Sequence, residues 1–108
     1  MALHHAIPGE IVDLSPLGQE LGNAKSAALI KSDQFEVIRL IVHEGAEIPS
    51  HEVPGSISLH CLEGRVELGL AESSLELAAG GWIYLEGGAA HSIRGIENSS
   101  LLLTIHFS

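Results

Sequence analysis

The sequence predicts an all-β domain, a sandwich or barrel of roughly eight to ten short strands. Three observations predict it. Helical periodicity is nearly absent along the 108 residues. Short apolar runs alternate with turn residues all the way to the C-terminus. Glycine is abundant, at 12 residues, as many tight turns require.

The elements follow in order. Residues 18–25 read as a loop or a short helix. Residues 27–31 and 35–43 read as two strands of a hairpin around Ser32, Asp33 and Gln34. Residues 45–50 read as a loop, with Pro49 as a breaker. Residues 56–62 form the next strand. Glu63 and Gly64 make a tight turn, and residues 65–70 pair back. A short strand over 75–78 closes at Gly80 and Gly81. Strands over 82–85, 91–94 and 101–107 complete the set. Residues 35–108 are expected to form the core. Residues 1–34 are expected to supply N-terminal strands and a loop that complete the barrel or a dimer, within a single domain.

Composition bounds the function. The apolar fraction of 45% against 18% charged excludes a disordered chain. Aromatics are scarce, so the core is expected to be built from Leu, Ile, Val and Ala. Fourteen carboxylates face 5 Lys and Arg, a net charge of −9. Phosphate binding needs a basic face, so nucleic acid and anionic membranes are excluded as partners. One cysteine, Cys61, leaves no internal disulfide and no Cys-rich zinc site. A lone thiol suits a reducing compartment, and no secretory signal or membrane-length apolar run is visible, so the expected location is the cytoplasm. Residues 35–42 and 101–105 are apolar on both strand faces, which predicts a homodimer that covers the outer one.

Two segments carry most of the remaining information. The first runs from Gly45 through His51 to Gly64, with Pro49 two residues before the histidine and Leu62, Glu63 and Gly64 at the turn. The second contains Gly80, Gly81, Gly87, Gly88 and His91. Together they resemble the paired signature of the cupin family, in its small single-domain RmlC-like form, over about residues 35–105. The resemblance implies a double-sheet jelly-roll barrel that often holds a metal between histidines. This chain departs from the family at the ligands. Val53 stands where the second histidine is usual, Ile57 where a carboxylate or amide is usual, and Glu86 where the second motif has proline. His51 and His91 alone keep a metal-binding side chain.

The family pattern therefore implies a tentative site of His51 and His91 for a divalent iron, nickel, manganese or zinc. Iron sites of this kind add a carboxylate to two histidines, and catalytic zinc takes three protein ligands. Glu47 and Glu86 lie in loops near the expected barrel mouth and are candidate additional ligands. His60 is a third candidate, but strand parity sets it outward if Ile57, Leu59 and Cys61 face in. Val53, Ile57, Leu59 and Cys61 are the expected pocket residues. The same two histidines also fit polar wall residues bonded to backbone or water. Cys61 also reads as a small core residue, and Trp82 and Tyr84 share one strand face for stacking or interface packing. His43 and His106 read as half-buried structural histidines. Arg39 and Arg94 read as salt-bridge partners of the many carboxylates.

Three functions remain in competition. One is binding of a small molecule in the barrel cavity, with or without a weakly held metal. Another is a metal-dependent enzyme, such as a dioxygenase or isomerase, which the resemblance makes common. The third is a sensory or regulatory subunit. No catalytic residue is assigned.

Overall fold

The computed structural model of the chain describes residues 5–107. Nine strands form among the described residues: β1 Ala27–Lys31, β2 Phe35–Val42, β3 Glu47–His51, β4 Ile57–Glu63, β5 Arg65–Gly69, β6 Ser74–Ala78, β7 Trp82–Leu85, β8 His91–Gly95 and β9 Ser99–His106. One sheet has the order β1-β2-β9-β4-β7 and the other β3-β8-β5-β6, with every pairing antiparallel. Only β1–β2 and β5–β6 are consecutive neighbours within a sheet. The chain otherwise crosses between sheets, as a jelly roll requires.

Strand alternation builds the core. In β4 the buried residues are Ile57, Leu59 and Cys61, while Ser58 and His60 turn outward. In β5 Val66 and Leu68 are buried, and in β8 His91, Ile93 and Gly95. Leu59, Cys61, Val66, Leu68 and Leu101 are fully buried, so the two inner faces meet as a dry aliphatic layer.

The turns explain themselves locally. In the β1–β2 hairpin the Ser32 hydroxyl accepts from the N–H groups of Gln34 and Phe35, which bends the chain around its own side chain. Gly64, between β4 and β5, has φ +86°. A Cβ there would also sit 2.2 Å from the Asn98 carbonyl oxygen, so only glycine fits this turn.

The stretch expected to be a loop at 45–50 is instead largely β3. This strand lies at a sheet edge, where a missing N–H is tolerated, and its register with β8 shifts between Ile48 and His51. Pro49 sits in that irregularity, so it does not break the strand. Residues 18–25 contain a 3₁₀ helix, Gly18–Asn23. His106 is exposed rather than half-buried, because it ends β9 beyond the core. Residues 1–4 and 108, part of the expected N-terminal and core segments, lie outside the described residues.

Residues before β1 lie against the barrel. The Glu63 carboxylate accepts from the N–H groups of Leu17 and Gly18, at 2.8 and 2.9 Å. Arg39 donates to Ser100 Oγ and to the Ser15 carbonyl. Ala6 N–H donates to the Leu29 carbonyl at 2.7 Å, beside edge strand β1. Among the described residues no helix is long and apolar enough to cross a membrane.

Candidate functional site

His51 ends β3 and His91 begins β8, and the antiparallel register sets them directly opposite each other. Their ring centroids are 4.4 Å apart, with the planes inclined by 56°. His91 is 4% exposed, whereas His51 is exposed at the strand end. The bulge around Pro49 and Ser50 makes this meeting: it shifts the register by one residue, so both His51 and His91 face the space inside.

Both rings are anchored in the same way. His51 Nδ1 lies 3.1 Å from the Pro49 carbonyl oxygen and His91 Nδ1 lies 3.1 Å from that of Ala89. A carbonyl can only accept, so each Nδ1 carries the proton and donates it. In the neutral ring Nε2 is then a bare lone pair. Neither Nε2 bonds to another described residue, and among the described residues no buried side-chain nitrogen or oxygen is left unpaired, so each Nε2 is reachable from solvent. Two acceptors thus stay unused, on rings whose centroids are 4.4 Å apart.

They face an apolar cavity of ≈160 Å³. Its other walls are Leu40, Ile48, Ile57, Leu59, Ile93 and Leu103. Ile57 and Leu59 are where strand parity set them. Val53 and Cys61 are not in the wall. Val53 follows the β3 bulge and lines a second apolar hollow of ≈340 Å³, with Pro54, Gly55, Ile105 and Phe107. Cys61 lies deeper, fully buried, with Sγ 3.6 Å from the carbonyl oxygens of Glu63 and Gly64. Burial raises its thiol pKa above the ordinary value, so it stays protonated and inert.

The additional ligand candidates do not join the pair. Glu47 pairs in register with Arg94 and is exposed on the outer side of β3. Glu86 is exposed in the turn after β7, where its carbonyl accepts from Ala89 N–H. His60 lies on the outer face of β4, beside Trp82 and Leu102. Among the described residues, no group of three His, Cys, Asp or Glu is placed to hold a metal ion. Two imidazoles in an aliphatic wall do not fit a resident first-row metal, which needs at least a third protein donor in sites of this type. Other polar residues have structural partners. Arg94 pairs with Glu67 at 3.1 Å, and His43 Nε2 lies 3.2 Å from the Ala24 carbonyl oxygen.

Four wall residues went unread in the sequence. Ile93 was accessible by parity, two residues after His91 on β8. Ile48 was hidden because its segment read as a loop. Leu40 and Leu103 were hidden because β2 and β9 are apolar on both faces, so neither face announces itself as inner.

No protein-family model matches the chain. An uncharacterized protein of Aquifex aeolicus is 29% identical over 101 residues, covering 91% of this chain and 84% of the relative. Among solved structures, a conserved protein of unknown function from Streptococcus pyogenes superposes with a TM-score of 0.79 at 21% identity, over 100% of this chain and 98% of that one. An RmlC-like cupin from Shewanella frigidimarina gives 0.74 at 19% identity, over 99% and 93%. A cupin superfamily protein from Desulfitobacterium hafniense gives 0.74 at 18%, over 77% and 76%.

Proposed function

We propose that this chain, whose fold is that of the cupins, binds a small molecule in the cavity beneath His51 and His91. One observation carries the reading. Two imidazoles are locked by their own backbone so that both Nε2 lone pairs are free, at the wall of a space that is otherwise aliphatic. Cavities with apolar walls and a few convergent polar atoms are the usual shape of a ligand site. The aliphatic walls would exclude water and hold the ligand's body, while the imidazoles would fix its polar end.

The metal-dependent enzyme reading needs a third donor, and the donor set described here lacks one. Metal analysis of untagged protein tests this. After incubation with iron, nickel, manganese and zinc and removal of the excess, the expected content is well below one metal per chain. A stoichiometric metal that disappears in both His51→Ala and His91→Ala would overturn the reading and restore the enzyme.

The homodimer is proposed on a separate observation. Trp82 and Tyr84, 62% and 53% exposed, stand side by side on the outer face of β7, on the five-stranded sheet. A second copy of the chain covering this face would remove both rings from water. Sedimentation should give a dimer, and Trp82→Glu should shift it to monomer. A monomeric parent protein sinks the idea.

A further inference from the structure

We infer that the ligand of this cavity is a neutral, single-ring-sized molecule that carries a hydroxyl donor, of the phenol class. The inference rests on the cavity being a binding site and adds what kind of molecule it selects. Three features carry it.

The first is size. The space is ≈160 Å³ and walled by leucine and isoleucine. Engineered cavities of about 150 Å³ with such walls stay dry and admit benzene, in another protein. A single ring therefore fits and a nucleotide does not, while the many hydroxyls of a sugar ring would go unpaired against these walls.

The second is the direction of the hydrogen bonds. Each Nδ1–H is already donated to a carbonyl, of Pro49 or Ala89. What remains on each neutral ring is an acceptor, so the ligand has to bring the proton. An ether or a plain hydrocarbon brings none and leaves the lone pairs unsatisfied when water is displaced.

The third is charge. No Lys or Arg lines the cavity, and the whole chain carries a net charge of −9. A carboxylate would meet two lone pairs in an aliphatic wall, with no compensating cation. That disfavours an aromatic acid of the same size. Because there are two adjacent acceptors, a ring with two neighbouring hydroxyls can satisfy both, and a ring with one can satisfy one.

Two-dimensional NMR titrations of the ¹⁵N-labelled chain at about pH 8, with chelator present, separate the possibilities. Phenol, anisole and benzoate are the probes: a donor, the same shape without a donor, and an anion. Phenol is expected to shift the amides of Ile57, Leu59, His91 and Ile93, and to bind about tenfold more tightly than either other probe, as one directed hydrogen bond allows. His91→Phe keeps a ring and removes an acceptor, and it should bring the phenol-to-anisole ratio toward one. His51→Phe, at the exposed strand end, gives the same readout should the buried variant fail to fold. If anisole or benzoate binds as tightly as phenol, the donor inference falls while the cavity remains a ligand site. If none of the three moves those amides, the binding reading falls with it.

Discussion

The two ends of β8 show opposite treatments of polar side chains. At the Gly95 end the barrel is closed, and polar groups there are consumed. Ser99 Oγ accepts from Arg65 N–H at 2.9 Å and lies within donating distance of the Arg65 and Glu97 carbonyl oxygens, at 3.0 and 2.8 Å. Ser100 Oγ takes the Arg39 Nε–H at 2.8 Å. Cys61, in register with Leu101, has its thiol against two carbonyls. At the His91 end only half of each imidazole is used. The lesson is that this chain satisfies its buried polar atoms internally at one end, and at the other leaves two ring nitrogens open to solvent.

Four experiments break or sharpen that contrast. The largest effect is expected at the closed end. Leu101→Ala removes a fully buried side chain and should cost about 3 kcal/mol in denaturant unfolding, with midpoint and slope both recorded. A loss under about 1 kcal/mol would mean the closed end is not tightly packed. Ser99→Val should cost about 2 kcal/mol, because it strands the Arg65 N–H without an acceptor. His91→Ala should cost only about 1 kcal/mol, the worth of its single bond to Ala89, since the ring borders open space. A loss of about 3 kcal/mol or more would place that ring among the structural elements and erase the distinction. The smallest effect is chemical. Cys61 should resist a thiol reagent in native protein and react only as fast as the chain unfolds, because burial keeps it a thiol. Prompt labelling in native buffer would show the closed end opening.

How much of this the sequence carried depends on the strand. β4 was legible because, once Ile57 is set inward, parity carries Leu59 and Cys61 inward and His60 outward, as they stand. The 82–85 strand was legible to the residue. β3 was not legible. It reads Glu47, Ile48, Pro49, Ser50, His51, with one half-buried residue among exposed ones. Nothing local marks it as a strand; pairing with β8, some forty residues on, makes it one. That same gap hid Ile48, and Val53, beyond the bulge, lines the neighbouring hollow. The convergence of residues 51 and 91 followed from the motif resemblance. The free Nε2 atoms did not, since ring orientation is fixed by the carbonyls of residues 49 and 89, and sequence carries no such direction.

Glu63 has a consequence of a different kind. Its two oxygens grip consecutive amides of the segment before β1, and they do so from the turn that Gly64 makes sharp. That acidic side chain thus moors residues 17 and 18 to the barrel wall, beside the bonds that hold Ser15 and Ala6. Removing that carboxylate, as in Glu63→Ala, would loosen the mooring without touching the sheets. Residues 17 and 18 would then become more accessible to proteases, while Ser15 and Ala6 kept their bonds and the barrel itself stayed shut.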